Sequence, residues 1–361
     1  DLSLDAGLRA ALRELYRKQA VLLVAARSDK RGDDKEQAKK NPLVGYTVAG
    51  TPNSFLTTEK DYGDFILEYE LYVDPSMNSG VQIRSHINDK GVVYGYQIEV
   101  DPSPRRFSGG FYDEKRRGWL YPLSLNEKGR DAFENGTWNH YRVEAIGNSF
   151  QVFVNGIQTA AVVDDVDADG FIGLQVHSIR DESMEGRTVR WRNLRILTDD
   201  LEANRTPRDP EVEELSFLKN QLSDNEVRQG WRLLWDGKTT DGWRGAKLDE
   251  FPDWGWTIED GVLTVAETEG KESAGPGDIV TLDSFSNFEF RFEFKITEGA
   301  NSGIKYFVDP ELNKGEGSAI GCEYQILDDE VHPDAKMGVN GNRTLASLYD
   351  LITAENLNTE G

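Results

Sequence analysis

The sequence predicts an all-β protein: β-sandwich domains in tandem, with a short N-terminal helix before the first and a helical linker between the two. Three observations carry that prediction. Apolar and polar residues alternate with a period of two over many short runs, each bounded by Gly, Asn, Asp or Pro. The chain holds 35 Gly alongside its β-branched runs, a composition that suits strands joined by tight turns. A long stretch also recurs without a gap: FILEYELYVDPSMNSGVQI from Phe65 matches FEFRFEFKITEGANSGIKY from Phe288, an offset of 223 (288 less 65).

Each element follows in order. Leu4, Leu8, Leu12, Leu15 and Tyr16 share one stripe, which predicts an amphipathic helix over 4–27. RSDKRGDDKEQAKKN, Arg27 to Asn41, is a solvated tether, so residues 1–43 stand apart from the first sandwich. Over 44–197 the strand candidates are Phe65–Val73, Gly80–His86, Tyr94–Val100, His140–Ile146, Ser149–Val154, Gly170–His177 and Thr188–Ile196. Asn155-Gly156 marks a two-residue hairpin. Residues 198–229 are acidic and nearly free of β-branched side chains, hence the linker, and Ser223 with Glu226 forms a capping box inside it. The second sandwich occupies 230–361 and contains a hairpin through Asp260-Gly261.

The repeat extends beyond the ungapped block. Tyr96-Gln97-Ile98 matches Tyr324-Gln325-Ile326 at an offset of 228, and Tyr112-Asp113 matches Tyr349-Asp350 at 237. After Tyr349-Asp350 only eleven residues remain, so the second copy is expected to be cut short at its C-terminal side.

Charge and motifs narrow the function. With 41 basic and 64 acidic residues the net charge is −23, which repels nucleic acid and anionic membrane surfaces and suits a neutral ligand such as an oligosaccharide or glycoside. Cys322 is alone and reads as a small buried hydrophobe. No CxxC, HExxH, P-loop or dinucleotide fingerprint is present. The longest apolar run, Ala20 to Ala26, is too short for membrane insertion. The chain opens at Asp1 without Met or signal peptide, which fits a processed protein and leaves export open.

Several blocks resemble a known family. GWRLLWDGKTTDGW, WTIEDGVLTV, NSGIKYFV, EYQILDDEVHPDAK and LYDLI in the second copy are similar to successive blocks of the 3-keto-disaccharide hydrolase domain, long catalogued as a domain of unknown function. YQIEVDPSPRR, GGFYDEKRRGWL, TWNHYRVEAIGNSFQVFVNG, GFIGLQVHS and VRWRNLRI resemble the same family in the first copy. The resemblance implies concanavalin A-like jelly-roll sandwiches, hydrolase or lyase action on 3-keto-glycosides, and a periplasmic or secreted location. The second copy lacks the WN…NG and GLQ-x-H blocks, and the first lacks the WDG…GW opening.

Strand parity nominates residues independently. Gln82, Arg84 and His86 oppose Val81 and Ile83; Gln97, Glu99 and Asp101 oppose Ile98 and Val100; Gln175 and His177 oppose Leu174 and Val176. Together they describe one sheet with a dry face and a polar face, either a site or a half-exposed sheet surface. His177 is a candidate general acid or base, and equally a satisfied surface histidine. Glu99 and Asp101, two apart, could split into an acid and a base, or form an Arg-paired or calcium cluster. Tyr112 with Asp113 could orient a sugar, or be a packed Tyr and a turn Asp; Arg116, Arg117 and Trp119 could form a stacking rim, or a salt-bridged loop. The matching candidates in the second copy are Lys305, Glu323, Gln325, Asp329, His332, Tyr349 and Asp350.

The chemistry that the resemblance implies needs a base at C2 (Glu99 or Asp101), an acid at the departing oxygen (His177) and a cation for the enolate (Arg84). A divalent cation could take the place of the arginine; no other cofactor is indicated. A noncatalytic carbohydrate-binding module, a two-carboxylate glycosidase and a structural or adhesive tandem module are the competing readings.

Overall fold

The computed structural model describes residues 42–267, 277–309, 312 and 320–355, so the expected helix and tether at the N-terminus lie outside the described residues. The chain divides into two compact units. Unit one runs to Leu218 and takes in Leu222–Trp231; unit two holds Lys219–Gln221 and continues from Arg232.

Unit one is a sandwich of two sheets. Its strands are β1 (Leu43–Tyr46), β2 (Ser54–Thr57), β3 (Phe65–Val73), β4 (Ser79–Ile87), β5 (Val93–Val100), β6 (Phe111–Glu114) and β7 (Gly118–Tyr121). There follow β8 (Asn139–Ile146), β9 (Ser149–Val154), β10 (Ile157–Val163), β11 (Phe171–Val176), β12 (Thr188–Leu197) and β13 (Leu215–Ser216). One sheet runs β1-β12-β3-β8-β9-β10-β13, the other β2-β11-β4-β5-β6-β7. Alternate residues of each strand meet in a single core: Phe65, Tyr69 and Leu71 of β3 and Val143 of β8 from one sheet, Val81, Ile98 and Phe111 from the other. The expected dry face is therefore the inner face of the six-stranded sheet. Asn155 (φ 50°) and Gly156 (φ 81°) make the β9–β10 turn in the left-handed region that a two-residue hairpin requires.

The segment read as a linker contributes to this unit. β13 extends the seven-stranded sheet by pairing in parallel with β10, and Val212 is buried in the core. Its acidic composition describes the outer side of a strap that nevertheless covers an edge strand. The capping box is present, with Ser223 and Glu226 opening the helix Asp224–Gln229.

In unit two, β14 (Trp243–Gly245) pairs with β17 (Ile279–Thr281), β15 (Trp256–Glu259) with β16 (Val262–Val265), and β18 (Asn301–Asp309) with β19 (Ile320–Leu327). The stretch from Phe288, which repeats β3, forms no strand. In unit one β3 lies between β12 and β8, both of which come from sequence after Asp113. No described residues after Asp350 supply equivalents, and a strand without ladder neighbours leaves its amides to water.

The ladders also correct the repeat alignment. Gly80 faces Glu99 and Gln82 faces Gln97. Gly303 faces Gln325 and Lys305 faces Glu323. Because Gly80 and Gln82 map to Gly303 and Lys305, Gln97 corresponds to Glu323 and Glu99 to Gln325, an offset of 226 (323 less 97). The next ladder agrees, since Ile98 faces Phe111 and Tyr324 bridges Leu348, which keeps Tyr112 on Tyr349. The shared Tyr-Gln-Ile is two residues out of register, a slip that preserves every side chain's face and so escapes a parity argument.

Candidate functional site

The outer face of the six-stranded sheet carries a layer of amides. Gln175 of β11, Gln82 of β4 and Gln97 of β5 are all buried. Both Gln82 Nε2 and Gln175 Nε2 donate to Gln97 Oε1 at 2.9 Å, and Gln97 Nε2 donates to Glu99 Oε2 at 2.9 Å. Asn78 Nδ2 donates to the other carboxylate oxygen, Oε1. Two neighbouring strands thus fix the Gln97 amide, which together with Asn78 donates to the Glu99 carboxyl group.

Gly80 makes this possible. A Cβ there would lie 2.6 Å from Gln97 Cγ, so only glycine lets the Gln97 side chain cross β4 towards β11. Gly80→Ala is expected to break the Gln97–Gln175 contact and cost about 1–3 kcal/mol of stability through overpacking, read as a lowered midpoint in urea. A melt identical to wild type would show that the amide layer is not held this way. The layer is capped at one side by Phe55, Val93 and Phe171, a small apolar cluster outside the main core.

Glu99 is 5% exposed. Burial pushes its carboxyl up to about 7; the Asn78 and Gln97 hydrogen bonds and Arg105 oppose that shift, and the Asp101 charge adds to it. Tyr112, on β6 opposite Gln97, stands beside it and its phenol is raised by burial and then by the Glu114 and Glu99 charges. Trp119 stacks edge-on to Tyr112 and to Phe107, both at 5.1 Å between ring centres. The Arg105 guanidinium lies 5.0 Å from the Phe107 ring and 5.2 Å from Trp119. An aromatic wall with a cation therefore adjoins the carboxyl.

His177 follows the last residue of β11, two positions beyond Gln175 and on the same face. Carrying the β11–β4 register three positions on from Leu174↔Val81 sets it opposite Asn78. Its Nδ1 is 2.8 Å from the Ser178 carbonyl. A carbonyl only accepts, so Nδ1 carries the proton and Nε2 is left to exchange one.

Other expected residues go elsewhere. Arg84 was expected on the polar face, but it sits at a β-bulge with φ 42°, which turns its side chain inward. There it is 1% exposed, over the Phe150 ring, donating to the carbonyls of Gly63, Gly147 and Asp167 and pairing with Asp64. It is a structural clamp. Asp113 was expected beside Tyr112, but adjacent strand residues point to opposite faces. It is fully buried and pairs with Arg116 and Arg117, which also reach Asp167 and Asp164. The two arginines form a salt-bridged loop, leaving Trp119 alone at the rim. Asp101 lies past the end of β5; its oxygens accept from Ser103 N at 3.1 Å and Arg105 Nε at 2.7 Å, and it lines a cleft of about 230 Å³ with Arg130, Phe133 and Asn135. Engaged in this way, it anchors Arg105 and is poorly placed as a second acid–base partner. Among the described residues no group of three or more His, Cys, Asp or Glu converges as around a metal ion.

In unit two, Lys305 Nζ pairs with Asp278 at 2.8 Å and faces Glu323 across the ladder. Gln325 is buried on the same face of β19 as Glu323. Asp329 accepts from Leu345 N, His332 caps the short helix Pro333–Lys336 through Nδ1, and Tyr349 donates to Asp334. Asp350 pairs with Arg343, which bridges to Asp334. His332, Tyr349 and Asp350 thus belong to a loop network. Sequence reading missed Asn78, Arg105 and Phe107. The NSG motif and the PSPRRF loop were visible, but parity does not reach residues beyond strand ends.

A family model described as the 3-keto-alpha-glucoside-1,2-lyase-like domain matches residues 27–197 and again 230–360. The chain belongs to that family. A 3-keto-disaccharide hydrolase of Bacteroides thetaiotaomicron is 41% identical over 135 residues, which is 35% of this chain and 46% of that protein. The chain thus matches about half the length of that relative. Solved structures with similar folds include the carbohydrate-binding module CBM66 from Bacillus subtilis, 16% identical over 43% of this chain and 91% of that one, TM-score 0.30. A pseudo β-1,3-glucanase of Mycobacterium tuberculosis is 14% identical over 44% of this chain and 76% of its own, TM-score 0.32.

Proposed function

We propose that unit one cleaves 3-keto-glycosides by elimination and rehydration. The observation that carries this reading is Glu99: a buried carboxyl near neutrality, oriented by amides, beside an aromatic wall and a cation. As carboxylate it removes the proton on C2, which the neighbouring ketone acidifies. The electron pair moves to the C3 oxygen, held by Arg105 in the role expected of Arg84. His177 gives the glycosidic oxygen its proton as the C1–O bond breaks, and water adding to the resulting double bond completes a net hydrolysis.

Turnover of 3-keto-trehalose and of a nitrophenyl 3-keto-glucoside, beside their unoxidised parents, tests this. Cleavage is expected of the keto sugars only. Equal cleavage of the parents would favour a conventional glycosidase, and binding of both without cleavage a carbohydrate-binding module. His177→Ala should slow 3-keto-trehalose by roughly 10²–10⁴-fold. The nitrophenyl substrate, whose leaving group needs no proton, should be largely spared. Equal losses on both substrates would remove His177 from the role of acid.

A further inference from the structure

We infer that unit two holds a second keto-glycoside site, in which the acid and the amide have exchanged places. The ladders put Glu323 where unit one has Gln97, and Gln325 where it has Glu99. Several details follow the same plan. The Gln97 side chain crosses Gly80; the Glu323 side chain crosses Gly303 likewise, its Cδ 2.7 Å from where a Cβ would stand. Asn78 recurs as Asn301. The bulge and left-handed φ of Arg84 recur at Phe307, φ 51°, although that side chain is exposed.

Two differences define the second site. Lys305 replaces Gln82 opposite the crossing side chain, so a cation, paired with Asp278, takes the ladder position of an amide. The acid also moves one same-face step along its strand, roughly 7 Å. The independent sign of a ligand is Gln325. It is 1% exposed, yet neither Oε1 nor Nε2 has a hydrogen-bond partner among the described residues. An amide buried with both its donor and its acceptor unspent is costly unless something polar fills it, and sugar hydroxyls offer both complements. Lys305 supplies a cation for a ketone oxygen and Glu323 an acceptor for the hydroxyl beside it.

This inference rests on the keto-glycoside reading of unit one but fails separately from it. Isothermal titration of the whole chain with 3-keto-glucose methyl glycoside should give two sites per chain. Glu323→Gln should weaken one of them at least tenfold; Glu99→Gln should leave that one intact. Lys305→Met, which keeps the aliphatic stem, should weaken the same site, and circular dichroism should show each variant folded. A single site lost in Glu99→Gln and untouched by Glu323→Gln and Lys305→Met overturns the inference and leaves unit one's reading standing. A single site lost only in Glu323→Gln supports the inference and removes unit one's. No binding by any form overturns both.

Discussion

Glu99→Gln should lower turnover of 3-keto-trehalose by roughly 10²–10⁴-fold, the usual worth of a positioned base. The substitution keeps the shape of the side chain and removes only its ability to take a proton. Wild-type kcat/KM should rise with pH through a midpoint close to the Glu99 value of about 7, because the carboxylate is the active form. Stability should move the other way. The folded pKa is raised from 4.5 to about 7, so the native state holds its proton more tightly than the unfolded chain. That stabilisation is fully present below about 4.5 and lost as pH rises to about 7, a total on the order of 3 kcal/mol. Glu99→Gln has no such term. Thermal melts from pH 4 to 8 should therefore shift steadily in favour of the variant, while its activity stays low. A variant that keeps wild-type rates, or a melting difference that is flat with pH, would refute the assignment.

Arg84→Ala should unfold unit one more easily, by about 3–5 kcal/mol, without harming the chemistry of molecules that remain folded. The side chain fills space over Phe150 and supplies hydrogen bonds to three carbonyl oxygens. Arg84→Lys should recover little, since one ammonium cannot reach the same fork of acceptors. Urea melts, followed beside kcat in the folded range, separate this from a catalytic role. Unchanged stability with a collapsed kcat would return Arg84 to the site.

The two faces of the six-stranded sheet were legible because period-two alternation is a direct consequence of strand geometry. Val81, Ile98 and Leu174 are in the core, and Gln82, Gln97 and Gln175 meet on the other side. Tyr112 and Asp113 could have been separated by that same rule. Arg84 could not: a left-handed φ on a non-glycine residue interrupts the alternation, and nothing in the local sequence announces it. That the acidic strap 198–218 joins the first unit was hidden because Val212 and β13 are brief apolar interruptions in a polar run. The partners of Glu99 were half legible. Gln97 is on its own strand, but Asn78 and Arg105 come from beyond strand ends, where hydrogen bonding rather than periodicity decides orientation.

The glycine crossings at Gly80 and Gly303 bear on how the two copies came to differ. Gln and Glu are the same size and shape to within one terminal atom and its hydrogens, so a side chain lying over a glycine can change from one to the other without repacking its neighbours. Their codons differ by a single base. Two point changes therefore suffice to carry a negative charge one same-face step along such a strand, passing through an intermediate with both acids or both amides. The opposite charge orders of Gln97–Glu99 and Glu323–Gln325 are thus two such exchanges apart on matching ladder positions.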